Sequence, residues 1–389
     1  MTVEQIYQIM NSVTGELLGD SALVKEDLSN IVELGQQFES VVGLDNYVRR
    51  LPDHVGRVIF VNRRYEGRAP RVLMDGWEYG SICEKIAARI PEAVENEDWT
   101  LQDGASYDPN VFHSPDVLGR FWNKRTTFEI DMSITEDQVK SSFSSVTQLN
   151  GFLSMILNAI ETSLTMKLDA LIMRTINNMI GETFYAEVPG GSYSGRTGVK
   201  AVNLLYMYNH AMYGDTSGSY ITAAAALHTP EFIRFAVYVM ANYTDRLKVA
   251  SNLFNIGGET RFTGTSDLHV VMLSEFKNAA DTYLQSDTFH NEYTALPDAD
   301  TVAYWQGSGT GYSFSDTGKV YITTASGHDV TATGVLGVMF DRDALGVCNQ
   351  ERKVNTHYNE KANFWNYFYK QFAGYFNDTN ENFVVFYIA

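Results

Sequence analysis

Residues 145–180 read SVTQLNGFLSMILNAIETSLTMKLDALIMRTINNMI, and the apolar positions Leu149, Phe152, Leu153, Ile156, Leu157, Ile160, Leu164, Leu168, Leu171, Ile172 and Ile176 recur in steps of three and four. That spacing places them along one face of an α-helix. No glycine or proline interrupts 152–180, and Gly181 stands where a C-terminal cap is expected. At 1.5 Å per residue such a helix spans about 50 Å, against an average of about 11–12 residues for helices in globular proteins. The spacing drifts away from a strict heptad and no flanking charge pattern is sustained, which argues against a coiled coil. The stretch therefore reads as the backbone helix of a flat domain, with one apolar stripe that needs another element lying along it.

On the N-terminal side of this stretch, Phe128, Ile130, Met132 and Ile134 alternate with Thr127, Glu129, Asp131 and Ser133, the period of a half-buried strand. Thr135 and Gln138 have capping-box spacing for a short helix beyond it. Residues 66–122 are divided by glycines and prolines such as Gly67, Pro70, Gly76, Pro91, Pro109 and Gly119. Between these breaks lie Trp77, Tyr79, Trp99, Tyr107 and Phe112. The apolar density is too low for independent folding, so we expect an extended, turn-rich excursion whose aromatics meet a partner surface. A β-rich insertion packed on its own domain is the alternative. Residues 1–30 read as an arm, 31–50 as a helix, and Val58-Ile59-Phe60-Val61 as a buried strand.

On the C-terminal side, 182–225 is loop-like with a helical piece near Ala201–Met212. Thr229-Pro230-Glu231 opens a further helix with proline at its first position. Short strands and turns fill 250–335, including 268–272 and 320–322, as in an α+β lobe. Val335–Phe340 reads as a strand, eight aromatics crowd the thirteen positions 364–376, and Phe383–Ile388 reads as a buried strand. That last strand is expected to rejoin the sheet of the first lobe.

The 29 basic and 47 acidic side chains leave a net charge of −18. A chain that grips nucleic acid needs clusters of Lys and Arg to neutralise phosphates, and only short ones occur, such as Arg49-Arg50 and Arg63-Arg64. Direct nucleic-acid binding is not expected; an acidic surface suits either plain solubility or a wall that faces DNA without adhering to it. Cys83 and Cys348 form no ligand cluster and read as reduced core thiols. Neither a signal peptide nor a membrane-spanning segment is expected.

The sequence holds no nucleophile, metal or phosphate motif in its proper context. Gly307-Ser308-Gly309-Thr310-Gly311 neither follows a clear strand nor opens a helix and reads as a surface turn. The eight histidines are dispersed. Asp341-Arg342-Asp343 reads as a turn-stabilising charge cluster in preference to a carboxylate pair. No catalytic, cofactor-binding or metal-binding residues are assigned.

Two segments carry a resemblance. One runs from Gly119-Arg120-Phe121-Trp122 through Ile134 into Val139-Lys140-Ser141-Ser142-Phe143 and the long helix. The other runs from Val338-Met339-Phe340-Asp341 through Asn363-Phe364-Trp365-Asn366-Tyr367-Phe368-Tyr369 to the final strand. With the order of parts, they resemble the tailed-bacteriophage major capsid proteins of the Hong Kong 97-type fold, closest to those of phi-29-like podoviruses but without their C-terminal immunoglobulin-like domain. The resemblance implies an α+β chain with an N-terminal arm (1–30), a first part of a peripheral P domain (31–65) and an E-loop β-hairpin (66–122). It continues with the P domain carrying a spine helix at 145–180 (123–245), an axial A domain (246–334) and a C-terminal return to the P domain (335–389).

The implied function is self-assembly, as pentamers and hexamers, into the icosahedral or prolate head shell of the virion. That shell forms in the host bacterial cytoplasm, works with portal and scaffolding proteins, and encloses double-stranded DNA without specific binding, cofactor or membrane. Trp77, Tyr79, Trp99, Tyr107 and Phe112 are the expected assembly contacts. Covalent cross-linking is not expected, although Lys85 lies in the proposed loop and Lys124 at its base. An encapsulin-type nanocompartment shell protein, a β-rich tail or fibre protein, and an enzyme with an unfamiliar site are the alternatives.

Overall fold

The computed structural model describes residues 83–91, 112–136, 146–188, 195–214, 217–285, 299–305 and 318–389, with the single positions 11, 70, 72, 93 and 110. Apart from position 11, the arm 1–30, the helix 31–50 and the strand 58–61 lie outside the described residues, as do Gln138 of the capping box and the glycine string 307–311. Strands β1 (Cys83–Ala88), β2 (Val117–Trp122) and β3 (Arg125–Thr135) precede the long helix α1 (Val146–Glu187). There follow β4 (Ala201–Asn203), α2 (Leu204–Tyr213), α3 (Pro230–Leu247), β5 (Leu268–Leu273), α4 (Ser274–Gln285) and β6 (Asp300–Val302). The remaining strands are β7 (Val320–Thr323), β8 (Asp329–Ala332), β9 (Val335–Asp341), β10 (Leu345–Asn359), β11 (Phe364–Asn377) and β12 (Phe383–Tyr387).

The chain divides into two compact units, one of residues 1–68, 125–171 and 348–374, the other of 69–124, 172–347 and 375–389. In the first, a three-stranded sheet has the order β10-β11-β3. The alternation read at 127–134 is borne out: Ile134 is buried, Phe128, Ile130 and Met132 are half-buried, and the residues between them face solvent. Antiparallel pairing sets Ile134 opposite Trp365 and Met132 opposite Tyr367, and both aromatics are buried. The aromatic run 364–376 thus lies on one long strand, which follows β10 through a turn where Asn363 takes φ 51°, a conformation asparagine tolerates. Arg352 on β10 donates from Nη1 to Glu161 Oε1 on α1 at 2.8 Å.

Helix α1 has 42 residues, about 63 Å at 1.5 Å each. It passes through Gly181, the expected cap, and continues to Glu187. The reason is contact: a Cβ on Gly181 would lie 2.9 Å from methyl groups of Ile322 and Thr324, so this glycine admits a neighbour and does not end the helix. From Ile160 to Leu168 the buried positions step by four, as expected of a stripe. Between Leu171 and Phe184 burial extends almost all round, so here the helix lies inside a core and is not merely laid on one.

In the second unit, a mixed five-stranded sheet has the order β4-β12-β9-β5-β6. β12 runs parallel to β4 and antiparallel to β9, β9 antiparallel to β5, and β5 parallel to β6. One sheet therefore draws strands from 123–245, 246–334 and 335–389. Every residue of β9 and β12 is buried, the pattern of strands covered on both faces. Phe184 of α1 meets Tyr387 at 4.9 Å between ring centroids, and Tyr243 of α3 meets Phe386 at 5.3 Å. The predicted Pro230 start of α3 is borne out. The β7–β8 turn is gripped by α1, with Asn178 Oδ1 accepting from Ala325 N and Glu182 Oε1 from Ser326 N.

Candidate assembly surface

β1 and β2 pair antiparallel, with Cys83, Lys85 and Ala87 opposite Trp122, Arg120 and Leu118. The intervening residues Glu84, Ile86 and Ala88 stand opposite Phe121, Gly119 and Val117. Because side chains alternate across a strand, the two sets occupy opposite faces. The first set is partly covered and the second exposed.

The covered face is anchored within the second unit. The Trp122 ring lies 5.0 Å from that of Phe376, and its Nε1 donates to the Asn377 carbonyl at 3.2 Å. Lys85 Nζ donates to Glu381 Oε1 at 2.7 Å, to Asp378 Oδ2 at 3.0 Å and to the Asp343 carbonyl at 3.2 Å. Arg120 reaches Asp378 Oδ1 at 3.2 Å and donates to Asn380 Oδ1 at 2.7 Å. At the outer end of the stem, Arg89 forks onto both oxygens of Glu259 and pairs with Asp116. Burial alone would lower the Lys85 ammonium, but the hydrogen bond it donates to Glu381 and the charges of Asp378 and Glu381 outweigh that and hold it above the usual lysine range. Burial pushes the Glu381 carboxyl up by more than Lys85 and Arg261 draw it down.

The other face is open and mainly apolar, with the charged Glu84 standing opposite Phe121. Phe121 is 65% exposed and Ile86 66%, with Val117 beside them and Ile90 at the stem's end. Phe112, one of the expected contacts, is 86% exposed. Isolated exposed apolar side chains are ordinary, whereas a contiguous group marks an interaction surface. A two-stranded ribbon has no second layer to cover such a face by itself. The other expected contacts, Trp77, Tyr79, Trp99 and Tyr107, lie outside the described residues. Sequence reasoning gave no interface role to Val117 or Phe121 and no anchoring role to Lys85 or Arg120. Their signal was a two-residue alternation within strands only six residues long.

Asp341 stabilises a turn, as expected. Its Oδ1 accepts from Asp343 N at 2.9 Å and its Oδ2 from Thr263 Oγ1 at 2.8 Å, while burial pushes its carboxyl up. Among the described residues, no group of His, Cys, Asp and Glu is arranged to hold a metal ion, and no helix is long and apolar enough to cross a membrane.

Compared with known proteins, residues 9–387 match the family model described as Phi29-like phage major capsid protein. No curated protein matches the chain in sequence. Among solved structures it is similar to the capsid of Staphylococcus phage Andhra, at 10% identity and TM-score 0.49 over 84% of each chain. It is also similar to the capsid of cyanophage P-SCSP1u, at 10% identity and TM-score 0.49 over 84% of this chain and 88% of that one. The mature capsid of bacteriophage PhiM1 gives 10% identity and TM-score 0.38 over 84% and 87%.

Proposed function

Because the chain belongs to the Phi29-like phage major capsid protein family, and so builds the head shell of a tailed phage, we propose that its β1–β2 hairpin is the arm by which one copy grips the next. The observation that carries this reading is the exposed group Ile86, Val117 and Phe121 on a ribbon whose opposite face is already anchored. Apolar burial at many such contacts drives closure, and multivalency makes the closed shell far more stable than one contact would. Contacts between unlike surfaces that close on themselves give a shell and not an open fibre.

In this reading the chain has the Hong Kong 97-type arrangement, with 1–30 as the arm, 66–122 as the E-loop and α1 as the spine of the P domain. Copies gather as pentamers and hexamers, with portal and scaffolding proteins, in the host cytoplasm. Aromatics at Trp77, Tyr79, Trp99, Tyr107 and Phe112 extend the same contact. The net charge of −18 supports a wall that encloses double-stranded DNA without binding it. The chain's work is geometric, with no catalysis or cofactor of its own.

Phe121→Asp tests the arm. The variant should remain folded, because the side chain is exposed, and should sediment as free subunits where the parent chain, with its scaffold, forms shells visible by negative-stain microscopy. Normal shells from that variant would remove the arm from this role.

A further inference from the structure

Trp122, Lys85 and Arg120 leave the same face of the hairpin stem and converge on one turn, Asn377–Glu381. That turn is held firmly within the second unit. Asp378 N donates to the Ala344 carbonyl at 2.7 Å, and Ile256 N and Gly257 N donate to the Thr379 carbonyl at 3.0 and 2.8 Å. Asn380 N closes the turn onto Asp378 Oδ1 at 3.0 Å. Side-chain exposure is 3% for Asp378, 10% for Glu381 and 21% for Lys85, and Arg261 approaches Glu381 at 3.4 Å. Three cations therefore face two covered carboxylates.

Desolvating such groups offsets much of their attraction, so they add little net stability while penalising any geometry that leaves one charge unmatched. A cluster of this kind selects an orientation. We propose that the turn Asn377–Glu381 is an ionic clasp that fixes the angle at which the hairpin stem leaves its unit, so that the Ile86, Val117 and Phe121 face meets a second copy already oriented. The inference rests on the hairpin acting as an assembly arm. Orienting the arm beforehand lowers the ordering cost of each contact, and Lys85 and Arg120 are thus positioning residues.

The stem carries its own reporter. Cys83 lies on the clasped face two residues from Lys85 and is half-buried, whereas Cys348 is buried. In the purified, unassembled full-length chain, N-ethylmaleimide labelling of each thiol can be followed by peptide mass spectrometry. Lys85→Gln and Arg120→Gln should each speed labelling of Cys83 about tenfold, leave Cys348 protected, and lower the yield of shells. Removing the Lys85 charge disfavours the Cys83 thiolate, so faster labelling in that variant would run against the chemical bias. Should Lys85→Gln fail to fold, Arg120→Gln, on a side chain 34% exposed, carries the same test. Unchanged Cys83 labelling overturns the clasp. So does parallel labelling of both thiols, because the cluster would then be holding the fold and not the angle. Phe121→Asp separates the two ideas: it should label Cys83 at the parental rate while failing to assemble, and its normal assembly would overturn the arm without touching the clasp.

Discussion

Gly181 lies so close to Ile322 that a Cβ added to the glycine would stand 2.9 Å from the Ile322 Cγ2 methyl and equally near that of Thr324. Both neighbours are β-branched and stiff, and Ile322 is buried on β7, so neither can swing away cheaply. Alanine favours a helix interior over glycine by about 1 kcal/mol, but overpacking a filled core costs about 1–3 kcal/mol. Gly181→Ala should therefore destabilise the protein, by about 1 kcal/mol net, despite being a better helix former. Denaturant unfolding of the unassembled chain decides it; a stabilised variant would show that the β7–β8 hairpin yields.

Phe184 belongs to the seven-residue extension of α1 beyond its expected end. Its side chain is fully buried and meets the Tyr387 ring at 65°. Truncating a buried phenylalanine costs about 3–5 kcal/mol, so Phe184→Ala should lower the unfolding midpoint strongly. Tyr185, one residue later, is exposed but stacked on His328 with ring centroids 3.7 Å apart, so the same change there should cost only the stacking, about 0.5–1.5 kcal/mol. Equal losses at both positions would contradict a core-forming extension.

Local periodicity carried some of this fold and not the rest. The strand 127–134 was legible because one face meets solvent and the other does not, so its residues alternate. The stripe from Ile160 to Leu168 was legible for the same reason. Gly181 misled because the letter that ends helices is also the letter that admits a close neighbour, and the neighbour at 322 is distant in sequence. The place of β12 between β4 and β9 follows from pairings with residues 201–203 and 335–340, which leave no local trace. At the candidate surface, Phe112 drew notice as an aromatic in a turn-rich excursion, and its side chain is exposed. Lys85 drew notice only for cross-linking, because the carboxylates it meets lie 293 and 296 residues away.

His269 provides a pH dependence. It is half-buried on β5 and stacked on Phe340 with ring centroids 5.7 Å apart. Burial, aided by Arg342, holds its pKa below the usual 6.5 against the pull of Asp300, Asp341 and Asp267. A folded value below the unfolded one means that the stability this residue contributes is present above 6.5 and is lost as pH falls from there through the folded value. Asp341 acts in the opposite sense, since burial raises its carboxyl and protonation relieves that cost at lower pH. His269→Phe retains a ring against Phe340 and removes the titration. Unfolding midpoints measured downward from pH 7 should fall less steeply in the variant than in the parent; parallel profiles would exclude His269 as a contributor.

Phe121→Ala grades the contact that Phe121→Asp abolishes. Burying a phenylalanine side chain is worth about 1.5–3 kcal/mol, and alanine keeps only a small part of that. Losing about 1.4 kcal/mol weakens one pairwise contact tenfold. Each subunit of a closed shell is held by several neighbours, so the loss recurs at every copy and assembly shifts as a threshold. The concentration at which light scattering first reports shells should rise about tenfold or more for Phe121→Ala. Leu118→Ala, on the half-buried face of the same strand, should act differently, loosening the stem with a smaller effect on that threshold. Equal thresholds for Phe121→Ala and the parent chain would mean that the open face of the hairpin stays open in the shell.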